Sequence, residues 1–185
     1  MENLNKLALT NGIIIAVFGI AIQTLIYYVA PNLLGSMATG LVVLLITCGI
    51  YIFFILDIRK KIGGYWTFKQ AFGGMFIMSF IANVVTQVFN FIFYKFIEPG
   101  AYEKVVTIVT EKTTETLEKM GMSQDQIDKA MEGAAKSLKA QYQPGALDLL
   151  KTFAMLIVTG VILSLIFAAI FKKNEPIFAP VEEAE

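Results

Sequence analysis

The chain contains no histidine and a single cysteine, Cys48. Those two scarcities exclude disulfide frameworks, thiol pairs, histidine metal sites and any histidine general base, and with them much of ordinary enzyme chemistry. Net charge is lacking too, because fifteen basic and fifteen acidic residues cancel, and nothing global points to nucleic acid or to a strongly charged substrate. Charge is also missing locally. No charged residue stands between Lys6 and Asp57, between Lys69 and Lys95, or between Lys151 and Lys172. No Gly-rich phosphate loop, nucleophile elbow or histidine triad can be read.

What is present is apolar. Hydrophobic residues make up 56% of the 185 and mean hydropathy is +0.66, against an apolar share of roughly 45 to 50% in soluble domains. A hydrocarbon core about 30 Å thick takes about 20 helical residues, so the first charge-free block is long enough to cross twice. Pro31, Asn32, Gly35 and Ser36 are the turn formers inside it and divide it into spans over 9–30 and 37–56. Further spans are predicted over 70–94 and 147–172. The first apolar stretch exceeds the roughly 7 to 15 residues of a signal-peptide core, and it is expected to stay attached.

The fold class predicted is therefore an all-α integral membrane protein, with four transmembrane helices and an extramembrane antiparallel helical hairpin between the third and fourth. Residues 1–97 hold the first three helices, 98–146 the hairpin, 147–172 the fourth helix and 173–185 a tail. Arg59, Lys60, Lys61 and Lys69 in one connection, with Lys172 and Lys173 after the last span, place both termini in the cytoplasm and the hairpin outside. Tyr27, Tyr28 and Tyr94 at one level, and Tyr65 and Trp66 at the other, are expected as interfacial anchors.

After Tyr94 the composition turns charged and threonine-rich until about Gln143, too polar to remain in lipid. Pro99-Gly100 breaks the third helix. Val105, Ile108, Val109, Leu117 and Met120 then recur with helical spacing over 102–120. Gly121 suits a left-handed C′ position, and Ser123 with Gln126 three residues later forms a capping box for a second arm over 124–142, where Ile127, Met131, Ala134, Leu138 and Tyr142 share a face. The ordinary behaviour of amphipathic helices has the two arms pack on each other; a partner surface or a membrane-lying helix is the alternative. Glu115/Lys119, Asp125/Lys129 and Glu132/Lys136 support solvated outer faces.

Two apolar spans, a basic turn, the run Tyr65-Trp66-Thr67-Phe68-Lys69-Gln70-Ala71-Phe72, then Phe91-Ile92-Phe93-Tyr94 and Ile97-Glu98-Pro99 follow in order. In this order, and in the Gly121-Met122-Ser123 turn, the chain resembles domain of unknown function 4199, bacterial multi-pass membrane proteins found mainly in Bacteroidota. The resemblance implies a bacterial cytoplasmic membrane and, with the orientation above, a periplasmic hairpin. It brings no established activity, cofactor or catalytic residue.

In the third span Ser79, Asn83, Thr86, Gln87, Asn90 and Tyr94 recur every three or four residues along one side. They form either a wetted substrate path or an interhelical hydrogen-bonding seam, with Gln23 or Thr24 as partners on the first span. No ionisable group sits within a span, which argues against a proton-coupled pump. Gly12, Ala16 and Gly19, and Gly160, Ser164 and Ala168, can bring helix backbones close, inside the chain or between copies. Cys48, deep in the second span, is expected to be an inert apolar filler. Arg59, Lys60 and Lys61 are candidate lipid-headgroup contacts, although their part in setting topology accounts for them by itself. No catalytic residue, metal ligand or cofactor is expected. The leading expectation is a non-catalytic interaction or accessory protein of the cell envelope, with membrane lipids, an envelope protein or its own copies as partners and no nucleic acid. The alternative is an oligomeric channel or carrier for a small neutral or lipophilic solute; lipid sensing through the basic turn and Trp66 stands third.

Overall fold

The computed structural model describes residues 2–175. The expected tail is thus seen only as far as residue 175, and 176–185 lie outside the described residues. The described chain is helical throughout: α1 (Glu2–Val29), α2 (Met37–Lys61), α3 (Phe68–Ile92), α4 (Ala101–Lys119), α5 (Gln124–Tyr142) and α6 (Ala146–Phe171). A single 3₁₀ turn, Pro31–Leu33, separates α1 from α2, and α3 runs on through a π turn, Phe93–Ile97. Four helices, α1, α2, α3 with its π turn, and α6, are long and apolar enough to cross a membrane. Their outward faces carry large apolar residues, among them Leu41, Phe53, Met155 and Ile170, the surface a hydrocarbon solvent would cover.

α3 is the centre of the bundle. It packs along α1 on one side and α6 on the other, while α2 leans on α1. Small residues let the backbones approach. A Cβ at Gly12 would lie 2.6 Å from the main-chain oxygen of Met78, and Gly160, Ser164 and Ala168 of α6 are all buried. These residues serve packing inside the chain. Gly19 faces open space instead.

Two apolar clusters hold opposite ends. One joins Leu4, Ala8 and Ile15 of α1, Ile55 and Ile58 of α2, Ala71, Met75, Met78 and Ala82 of α3, and Ala168 of α6 around Trp66. Trp66 is only 2% exposed, which corrects the expectation of an interfacial anchor. Its ring fills the gap between the α2–α3 turn and the end of α6, its indole N–H donates to the Phe171 carbonyl at 2.8 Å, and its backbone pairs with Lys173 in both directions. Thr67 and Gln70 close a reciprocal capping box at the start of α3, with Gln70 N–H donating to Thr67 Oγ1 and Thr67 N–H to Gln70 Oε1.

The other cluster joins Tyr27, Phe93, Tyr94, Ala101 and Val105, with Leu34, Val109 and Tyr142 beside it. Here α4 meets the ends of α1 and the α1–α2 turn. Gly35, at φ +74°, sits so close to α4 that a Cβ would lie 2.9 Å from Val109 Cα. Tyr94 and Tyr142 meet edge to face with ring centroids 4.5 Å apart. Val105 is thereby spent largely on the bundle, a use of the α4 face beyond arm-to-arm packing. α4 and α5 do pack on each other, with Ile127 buried and Met120 exposed. Gly121 holds φ +76° at the turn, and Ser123 N–H donates to Gln126 Oε1. Glu115–Lys119 and Glu132–Lys136 close as ion pairs, whereas Asp125 and Lys129 do not, and the neighbouring Gln124 Nε2 donates to Asp128 Oδ1.

Candidate functional site: an apolar cavity between α2, α3 and α6

Only the last turns of α2 enter the core, through Ile55 and Ile58. Earlier in the helix Leu41, Leu44 and Leu45 are exposed, because α2 is fastened at one end and stands off α3 and α6 along the rest. The gap is a cavity of about 690 Å³, inside the roughly 300–1,000 Å³ usual for small-molecule sites. Leu44, Thr47, Cys48, Tyr51 and Ile55 wall it from α2; Met75, Met78, Ser79 and Asn83 from α3. From α6 the wall runs from Asp148 to Phe167, and Ala140 of α5 borders it at the Asp148 end.

Three polar side chains in this wall are committed to their own helices. Thr47 Oγ1 donates to the Val43 carbonyl at 2.8 Å, Ser79 Oγ to the Phe76 carbonyl at 3.1 Å, and Asn83 Nδ2 to the Ser79 carbonyl at 2.8 Å. Such back-bonding shields hydroxyl and amide donors without a partner helix. The cavity surface is mainly apolar carbon, with a few hydroxyls and, at one end, Asp148 and Lys151, a lining suited to a lipophilic molecule.

The four candidate residues of the polar stripe part company. Ser79 and Asn83 line this cavity, and Asn83 also borders a smaller one of about 140 Å³ shared with α1. Gln87 lines a third, of about 260 Å³, on the other side of the α3–α6 contact. Asn90 is buried and accepts a 3.0 Å bond from Gln23 Nε2 of α1, the interhelical pairing expected of the seam. Thr86 bonds back to the Ala82 carbonyl. Cys48 is no close-packed filler but stands half-buried on the cavity wall. Sequence reasoning missed Thr152, Met155 and Thr159 as wall residues, although their spacing of three and four along α6 is a readable signal.

At the basic turn, Arg59 Nη1 donates to the Phe171 carbonyl at 3.4 Å and Lys61 pairs with Asp57 at 2.7 Å. Lys60 is exposed. Lys173 stacks its ammonium over the Tyr65 ring. Two of the three candidate headgroup contacts are thus engaged within the chain. Among the described residues no group of three or more His, Cys, Asp or Glu side chains is placed to hold a metal ion.

An all-helical chain with four such helices has the make-up of a multi-pass membrane protein. Over residues 10–173 it matches the family described as "Protein of unknown function (DUF4199)", and it belongs to that family. No curated protein and no solved structure matches it.

Proposed function

We propose that the chain is a non-catalytic, membrane-anchored interaction or accessory protein of the bacterial cell envelope. In this reading α1, α2, α3 and α6 span the cytoplasmic membrane, both termini are cytoplasmic, and α4 with α5 forms a periplasmic hairpin. The observation that carries it is the clamp of Val105 and Val109 on Tyr27, Leu34 and Gly35, supported by Tyr142 on Tyr94. A hairpin fastened this way keeps one orientation to the bundle and presents its outer face to a partner without the entropic cost of ordering a free segment.

Crosslinking in native membranes, followed by affinity purification and mass spectrometry, tests the proposal by comparing the intact chain with one lacking 101–143. An envelope protein recovered only with the hairpin is the expected result; an unchanged set of recovered proteins would overturn it. Cysteine-reactive labelling from the periplasmic side, on a Cys48→Ala background with cysteines placed at Met120 and at Lys60, is expected to reach position 120 and not 60.

A second reading, a holder or carrier of a lipophilic solute, is favoured by one observation: the cavity of about 690 Å³ between α2, α3 and α6. Binding of a neutral lipophilic dye by the purified chain, lost when Thr159→Trp fills the space, is the expected result for it.

A further inference from the structure

The cavity is long and its two ends differ. Its α6 wall extends from Asp148 to Phe167, a rise of about 28 Å at 1.5 Å per residue, close to the roughly 30 Å of a hydrocarbon core. At the Phe167 end the wall is Ile55, Met75 and Phe167, with no charge on it. At the other end Asp148 and Lys151 stand one turn apart on the wall, and neither has an ion-pair partner among the described residues. One Asp148 oxygen, Oδ2, accepts from Gly145 N–H at 3.1 Å, which fixes the carboxylate on the first turn of α6. Lys151 is exposed.

An apolar slot of near-membrane length, with one carboxylate and one ammonium at a single end, is complementary to a long-chain amphiphile that carries both signs in its headgroup. We propose that the cavity binds one zwitterionic phospholipid, its phosphate against Lys151, its ammonium against Asp148, and an acyl chain laid along Met155, Thr159 and Leu163 toward Phe167. The inference rests on the lipophile reading of the cavity and is independent of the hairpin's partner. Charge complementarity chooses the headgroup, since an anionic lipid would satisfy Lys151 and repel Asp148. The standing-off of α2 supplies the lateral entrance, between helices, that a lipid needs to enter from its own leaflet.

The test uses the full chain, delipidated in detergent and offered phosphatidylethanolamine or phosphatidylglycerol, with retained lipid counted by native mass spectrometry. One phosphatidylethanolamine per chain is expected to survive the collision energy that strips all other lipid, with about tenfold preference over phosphatidylglycerol, the scale of one charge-assisted hydrogen bond. Asp148→Asn, which keeps an acceptor oxygen for the Gly145 N–H, is expected to abolish that preference, and Thr159→Trp to abolish retention itself. Equal retention of both lipids, or retention unaffected by either substitution in chains whose circular dichroism is unchanged, would mean annular lipid only and overturn the proposal. If neither phospholipid is retained but a neutral lipophilic dye still binds in a manner sensitive to Thr159→Trp, the phospholipid assignment falls and the cavity reading survives. If the dye also fails to bind, both fall.

Discussion

The indole N–H of Trp66 donates to the main-chain carbonyl of Phe171 across 2.8 Å, joining the turn before α3 to the last residue of α6. Helix ends leave carbonyls without partners, and here a side chain over a hundred residues away takes one up, with Arg59 Nη1 on the same oxygen at 3.4 Å. The bond also places the indole where Leu4, Ile58 and Ala71 close around it. Trp66→Phe is expected to cost about 1–3 kcal/mol through the lost bond, and Trp66→Ala about 3–5 kcal/mol through the cavity it leaves. Thermal unfolding of the purified chain in micelles measures both; an unchanged midpoint for Trp66→Ala would show that the α6 end is not fastened there.

Gly12 and Gly19 make a matched pair on α1. The 2.6 Å approach at Gly12 is to backbone oxygen, which cannot swing aside, so Gly12→Ala is expected to lose about 1–3 kcal/mol by forcing α1 from α3. Gly19→Ala meets nothing within 4 Å and is expected to be neutral or to gain up to about 1 kcal/mol from helix propensity. Equal effects at the two sites in the same unfolding assay would refute the close approach.

Gln23 and Asn90 form the one side-chain bond described between α1 and α3. Replacing either with Leu strands the other in an apolar layer, whereas replacing both removes the need. The double variant is expected to be more stable than the sum of the singles predicts, with a coupling of about 1 kcal/mol. Strict additivity would mean that the pair does not interact.

Outside the bundle, Glu115 lies between Lys119 and Lys112, whose hydrogen bonds and charges hold its carboxyl down to about 2 from the usual 4.5. A carboxyl depressed on folding adds stability that is present above its unfolded value and is lost as pH falls through the folded one. The support that Glu115 lends α4 is therefore expected to persist at pH 4.5 and to fade toward pH 2. The site is exposed, so added salt should shrink the effect. Carboxyl NMR titration reads it directly, and Lys119→Met is expected to move the midpoint back up.

Gly35 carries the contact between the α1–α2 turn and α4. With φ at +74° and Val109 Cα in the way, Gly35→Ala is both strained and crowded and is expected to loosen α4 without unfolding α1, α2, α3 and α6. Faster amide hydrogen exchange over 101–119, with that of 68–92 unchanged, is the expected signature. No change in either segment would mean that α4 is held elsewhere.

Much of the helical content was legible because long charge-free blocks and breakers such as Pro31 and Pro99 are local signals. The pairing of Asn90 with Gln23 was legible too, since a polar residue in an apolar span demands a partner and few were available. The burial of Trp66 was not. An aromatic residue beside a basic turn reads as an interfacial anchor, and only the return of α6 to the same level turns its ring inward. Nor was the division of the polar stripe legible, because residues on one side of α3 meet different neighbours once α1 and α6 take up positions on either flank.

By itself the sequence determined which segments are apolar enough to span a bilayer, where helices start and stop, and to which family the chain belongs. The first two follow from composition and spacing over a few residues, and the family from a match along residues 10–173. The tertiary structure alone decided that α2 leans on α1, buries only Ile55 and Ile58 and stands off α3 and α6, opening a cavity between them. It alone set α4 against Tyr27 and Gly35. Both depend on how closely backbones separated by dozens of residues can approach, and that distance is a property of packed surfaces rather than of any local pattern.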